Sequence, residues 1–171
     1  MKIFILSDTH DRRELLRLAV EQALAHGVKA ILHCGDVIAT NTLRPLKGLG
    51  IPVHVIHGNN LGDATAMYQF ASEAGSNFKY HGSEAALELA GRRIFLVHYP
   101  HHGQAFACTG EWDLVCCGHI HIASATQVAN VKGGKTWLVN PGAVGGPGAK
   151  PTWVLGDLTK MSFETIDVKT P

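Results

Sequence analysis

A chain of 171 residues with 46% hydrophobic and 17% charged residues fits a single globular domain over residues 1–171 with its own core. A formal net charge of +1 argues against a broad nucleic-acid-binding face and leaves small charged molecules as the substrates to consider. No apolar run approaches the roughly 18 residues needed to span a bilayer. The chain enters an apolar strand at once, with no secretory signal, so a cytoplasmic location and no membrane partner are expected.

The four cysteines, Cys34, Cys108, Cys116 and Cys117, show no CxxC spacing. Cys116 and Cys117 cannot pair within a strand, because successive side chains point to opposite faces. All four are expected to be free and buried, as small hydrophobes in a reducing compartment.

Residues 2–7 form an apolar run ending in a polar residue, which predicts a buried strand. Residues 12–26 carry Leu15, Leu16, Leu18, Ala19, Ala23 and Leu24 at helical spacing, and Gly27 ends the helix. A second strand is expected over 29–33, a short helical stretch over 42–48 and a third strand over 53–56. This β-α-β-α-β order predicts a parallel sheet with helical crossovers. Ligand sites in such sheets lie at the carboxyl ends of the strands, where Asp8, Asp36 and Asn59 stand.

The second half predicts strands over 85–89 and 92–97 joined through Gly91, a helix over 102–107, and a strand over 113–117. Shorter alternating runs follow over 124–129, 136–139, 152–155 and 162–167, with Gly-rich turns suggesting hairpins. The fold expected is α/β, with two sheets stacked and helices outside.

The chain has 11 histidines, and several directly follow apolar runs. Asp8, His10, Asp36, Asn59, His98, His119 and His121 would therefore meet above one sheet edge. Carboxylate with imidazole suits divalent Mn, Fe, Zn, Co or Ni rather than Mg or Ca. Seven side chains exceed one closed site and suit two ions about 4 Å apart sharing a carboxylate. Such a pair produces hydroxide near neutral pH and neutralises charge on a phosphoryl oxygen.

Asp8-Thr9-His10, Gly35-Asp36, Gly58-Asn59, His98 and Gly118-His119-Ile120-His121 resemble, in order, the D-x-H, G-D, G-N, H and G-H-x-H motifs of calcineurin-like phosphoesterases. The chain is especially similar to their small bacterial and archaeal phosphodiesterases of the YfcE type. That likeness runs nearly the full length and includes Asn140-Pro141-Gly142.

The resemblance implies a four-layer α/β/β/α sandwich of the metallo-dependent phosphatase type. It implies that Asp8, His10 and His121 hold one divalent metal, that Asn59, His98 and His119 hold a second, and that Asp36 bridges them. Asp36, Asn59 and His98 would also serve the catalytic step, in which a metal-bridging hydroxide attacks phosphorus. Manganese is the first expectation for both ions, with Fe, Zn or Ni as alternatives. The substrate implied is a small phosphate ester, and relatives suggest a homodimer or homotetramer.

Three departures from the family pattern bear on function. Many relatives place a proton-donating His after the third-motif Asn, whereas here Asn60 follows Asn59, and an amide is no acid. General acid help is worth roughly 100- to 10,000-fold, and diesters with good leaving groups need it least. A phosphodiesterase is therefore expected ahead of a phosphomonoesterase acting on a nucleotide or phosphoprotein, and ahead of a non-catalytic interaction scaffold. Asp63, displaced from the usual acidic position, is expected to cap the following helix. After His98 the chain runs Tyr99-Pro100-His101-His102-Gly103, so His101 or His102 could supply a proton or touch phosphate.

Other features have plainer explanations. His33, His54 and His57 match no motif, although His33 and His57 stand near enough to support ligands. His26 and His81 are expected on the surface. Asp11 is expected to cap the first helix and Arg12 to be its solvated start. Residues 142–148 lack the Lys and Ser/Thr of a phosphate-binding P-loop and predict a tight turn. Trp112, Trp137 and Trp153 are expected to pack in the core or on the sheets.

Overall fold

The computed structural model describes residues 1–146 and 148–170. The chain begins with β1 (Lys2–Leu6), α1 (Arg13–Ala25), β2 (Ile31–His33), a 3₁₀ segment (Thr40–Leu46), β3 (Val53–Val55), α2 (Ala64–Ala71) and β4 (Phe78–Tyr80). β1 to β4 pair in parallel, each with the next. A second unit follows with β5 (Glu84–Leu89), β6 (Arg92–Val97), α3 (Pro100–Cys108), β7 (Leu114–Cys116), β8 (Ala123–Ala129) and β9 (Lys135–Pro141). Its strand order is β5-β6-β7-β9-β8. The chain then returns to the first sheet through β10 (Thr152–Asp157), antiparallel to β1, and β11 (Ser162–Asp167) on the edge.

The burial pattern of β1 explains the layering. Alternate side chains leave a strand on opposite faces. Phe4 and Leu6 join the core beneath α1, whereas Ile3 and Ile5 join the core between the sheets. A strand buried on both faces must read as a continuous apolar run, as β1 does. α1 lays Leu16, Ala19, Val20 and Ala23 on the first sheet, a single stripe at helical spacing. Burial of Leu16 alone is worth about 1.5–3 kcal/mol. Gly27, at φ 73, ends that helix in a conformation that a Cβ would oppose.

On the far side, α3 packs Ala107 and Phe106 against Phe95 and Val115 of the second sheet and against Trp112, which precedes β7. The layers are therefore helix, sheet, sheet, helix. Trp153 is fully buried, its ring edge-on to Phe4 at 5.0 Å. Among the described residues, no helix is long and apolar enough to cross a membrane.

Several local expectations are corrected. Asp11 does not cap α1: Arg12 occupies that position without a side-chain bond. Asp11 Oδ1 instead accepts from the Ala39 backbone N–H and the Thr42 hydroxyl, both at 2.8 Å, and so anchors the 3₁₀ segment. α3 starts at Pro100, earlier than expected, because a proline at the first helical position loses no hydrogen bond. β4 was not anticipated, being three residues long and only partly apolar. Cys34, Cys116 and Cys117 are buried, but Cys108 is half-exposed, and all four are free. His81 is half-buried against His54 rather than on the surface. Asp63, as expected, caps α2, accepting from the Ala66 N–H at 2.9 Å. Pro147, within the predicted turn over 142–148, lies outside the described residues.

Candidate metal centre

The loops after β1, β2, β3, β6 and β7 carry the seven residues singled out in the sequence. These loops are bonded to one another through the backbone. The Asp8 N–H donates to Gly35 O at 2.9 Å and the His10 N–H to Asp36 O at 3.1 Å. The Gly118 N–H donates to His98 O at 2.9 Å, and the Gly145 N–H to Asp8 O at 3.0 Å.

Asp8, His10, Asp36, His119 and His121 all have positive φ, between 40° and 73°. Non-glycine residues adopt this region only at a cost of about 1–2 kcal/mol each, and such strain concentrates at functional sites. Glycines give the room. A Cβ on Gly58 would collide with Asp36 Oδ1 and stand 2.7 Å from the His98 ring. One on Gly118 would collide with Ser7 Oγ and stand 2.7 Å from Asp8 Oδ2.

All seven side chains are brought together. His10 Nε2 lies 3.3 Å from His121 Nε2, 3.6 Å from Asp8 Oδ1 and 3.7 Å from Asp36 Oδ2. His121 Nε2 lies 3.3 Å from Asp8 Oδ1. On the other flank His98 Nε2 lies 3.5 Å from Asp36 Oδ1 and 3.0 Å from Asn59 Oδ1. His119 Nδ1 lies 2.8 Å from the same Asn59 oxygen. Asp36 thus faces His10 with one oxygen and His98 with the other. Asp8, His10 and His121 stand close enough together to hold a metal ion, as do Asp8, Asp36 and His98.

The donor set fits divalent cations. Asp8 is fully buried, and its Oδ1 has no hydrogen-bond partner. A buried carboxylate oxygen left bare is costly, and a cation among the neighbouring imidazoles would remove that cost. Asp8 Oδ2, by contrast, accepts the His119 N–H at 2.9 Å.

Asp36 titrates well below the usual carboxylate range. Burial pushes its pKa up, but hydrogen bonds from His98 and from Asn60 outweigh that. Asn60 donates its backbone N–H to Oδ1 at 2.8 Å and its amide to Oδ2 at 2.7 Å. For His98 burial favours the neutral ring, but Asp36 and the Cys34 carbonyl together raise its pKa above the ordinary value.

The remaining histidines divide by position. His33 is wholly buried: its Nδ1 accepts the Gly35 N–H at 3.2 Å and its Nε2 meets Thr9 Oγ1 at 3.3 Å. Burial, then repulsion from His98, pushes its pKa down to about 3, so it braces the first two loops as a neutral ring. His57 Nδ1 meets the Tyr80 hydroxyl at 2.8 Å. His54 and His81 pair at 3.0 Å. His26 is exposed. A cavity of about 240 Å³ opens beside His98; His102 lines it and His101 does not. Arg12 and Arg13 line a separate open cleft beside Asp11.

Sequence reasoning missed the part that Asn60 plays in holding both oxygens of Asp36. It also missed the Cys34 carbonyl and the position of Tyr99, whose ring lies 4.8 Å from that of His119. A backbone carbonyl leaves no trace in residue type, and only the adjacency of Asn60 to Asn59 could have drawn notice.

The family model of the calcineurin-like phosphoesterase superfamily domain matches residues 1–161. Phosphodiesterase MJ0936 of Methanocaldococcus jannaschii is 26% identical over 144 residues, which cover 83% of each chain. Among solved structures, the fold is similar to that of a novel archaeal phosphodiesterase, with a TM-score of 0.86 and 24% identity, covering 98% of this chain and 99% of that one. It is also similar to YfcE, a phosphoesterase from E. coli, with a TM-score of 0.68 and 18% identity over 99% of this chain and all of that one. With nearly its whole length matched and the motif residues gathered at one edge of the two sheets, the chain belongs to the calcineurin-like phosphoesterase superfamily, a superfamily of metal-dependent phosphoester hydrolases.

Proposed function

We propose that the protein is a dinuclear-metal phosphodiesterase. Asp8, His10 and His121 would hold one divalent cation, Asn59, His98 and His119 a second, with Asp36 shared. The observation that carries this reading is the position of Asp36, with Oδ1 at 3.5 Å from His98 Nε2 and Oδ2 at 3.7 Å from His10 Nε2. Two bound cations would supply charge neutralisation at the phosphoryl oxygens and a lowered pKa for water between them. Manganese is our first choice, and Fe, Zn or Ni suit the same donors.

The chain's own residues do the positioning. Asn60 fixes the plane of the Asp36 carboxylate with two bonds and helps keep it ionised. His33 holds the loops that carry Asp8, His10 and Asp36. No acid stands where Asn60 does, which favours diesters with good leaving groups. The phosphodiesterase name of MJ0936 supports the same preference. His102, which lines the cavity beside His98, would give a proton to a leaving oxygen; His101 lies off that cavity.

Hydrolysis of bis-p-nitrophenyl phosphate and of p-nitrophenyl phosphate by the Mn-loaded protein, with metal content measured in parallel, tests the reading. Preference for the diester is expected. Preference for the monoester would make the protein a phosphomonoesterase. Fewer than one ion per chain with no hydrolysis would make it an interaction scaffold.

A further inference from the structure

We infer that the cavity beside His98 seats one ester substituent of the substrate, and that this substituent is an uncharged, ring-bearing alcohol such as a nucleoside or a phenol. The inference rests on the phosphodiesterase reading above and adds the chemical class of one half of the diester.

Position is the first argument. The cavity is bordered by Gly58 and His98. The same two residues press against Asp36 at the middle of the candidate metal centre. A phosphate held among the seven ligands would therefore lie next to the cavity.

Size and wall chemistry narrow what enters. At about 240 Å³ the cavity is smaller than the roughly 300–1,000 Å³ of pockets that enclose a whole drug-sized ligand, so it takes one compact ring-bearing group. Rings form much of the wall. The Tyr99 ring stands 5.5 Å from His98 and 5.5 Å from His102, each nearly perpendicular, and Val97 adds an aliphatic surface. Faces and edges set at steep angles suit a planar guest.

Charge decides the rest. Among the described residues lining the cavity, Glu84 is the one with a fixed charge, and no Lys or Arg is present. A second phosphate or a carboxylate on the substituent would meet a like charge there. A hydroxyl or amino group would find an acceptor in Glu84, with the Ser83 hydroxyl beside it.

Phosphonates test this without depending on turnover. Phenylphosphonate and methylphosphonate share the metal-binding headgroup and differ in the ring. Titration calorimetry on the Mn-loaded protein should show phenylphosphonate binding roughly tenfold tighter. Ser83→Phe, at an exposed position, should fill the cavity and abolish that preference while methylphosphonate affinity is retained. A para-carboxylate on the phenyl ring should weaken binding to the wild type, and Glu84→Gln should restore it. Equal affinity for the two phosphonates in the wild type, or a preference that survives Ser83→Phe, overturns the inference. Indifference to the para-carboxylate overturns the requirement for an uncharged group. Failure of both phosphonates to bind overturns the proposed function itself.

Discussion

His98 donates its Nδ1 proton to the backbone carbonyl oxygen of Cys34, 2.8 Å away, and this bond decides which ring nitrogen faces the candidate metal centre. A carbonyl can only accept, so Nδ1 carries a hydrogen and Nε2 is the nitrogen turned towards Asp36 and Asn59. The same bond ties the loop after β6 to the end of β2, and so joins the two sheets at the site.

Replacing Asp36 by Asn keeps the shape and removes the charge that the two flanks share. Asp36→Asn should lower metal affinity and bis-p-nitrophenyl phosphate hydrolysis by roughly 100-fold or more. Metal analysis after dialysis, with circular dichroism to verify folding, checks it. Retention of two tightly held ions would sink the bridging role.

Gly58→Ala probes the space rather than the charge. The added methyl cannot coexist with Asp36 Oδ1 and the His98 ring as they stand. The fold should survive, because Gly58 is not among the residues at positive φ. Metal stoichiometry should fall, and normal loading of a folded Gly58→Ala protein would contradict the geometry.

If His102 protonates the leaving oxygen, its loss matters most where the leaving group is poor. His102→Ala should slow alkyl-leaving diesters on the order of 100-fold and p-nitrophenyl esters much less, with metal content unchanged. His101→Ala should leave both rates near wild type. A uniform effect of His102→Ala across leaving groups would remove the proton-donor role.

Asp11→Ala takes away the acceptor for Ala39 and Thr42. Because the acceptor is ionised, the loss should cost about 1–3 kcal/mol of stability, visible as a lower urea midpoint. An unchanged midpoint would show that the 3₁₀ segment is held by Leu43 and Leu46 alone.

The His54–His81 pair should make stability fall on acidification. The bond between the two rings at 3.0 Å needs a neutral ring as its acceptor, so it fails once both are protonated. Burial, then the charges of His81 and Lys79, lower the His54 pKa from 6.5 to about 4. The folded-state value lies below the unfolded one, so the contribution is complete above about pH 6.5 and is lost as pH falls towards 4. Denaturant midpoints of wild type and His54→Gln between pH 7 and 4.5 report it. The wild type should lose more over that range, and parallel curves would exclude the pair as the cause.

Much of the fold was legible in advance because the parallel core strands are short apolar runs closed by polar turns. β1 and the stripe of α1 follow from side-chain periodicity alone. β4 was not legible, since three residues pairing with β3 leave no pattern, and only the sheet edge makes them a strand. The role of Asp11 was misjudged for a similar reason: an acidic residue before a helix suggests a cap, but the loop after β2 passes close enough to claim its oxygen.

The sequence by itself determined which residue types were available for the chemistry, and their order put each after a strand. It also determined the missing acid at Asn60. What only the tertiary structure decided is where those groups stand relative to one another. Residues 111 positions apart, such as His10 and His121, approach to 3.3 Å because the β1 and β7 loops open at the same end of stacked sheets. The ring orientation of His98, the bare oxygen of Asp8 and the second use of Asn60 depend on through-space contacts with backbone and buried atoms, which residue identity does not encode.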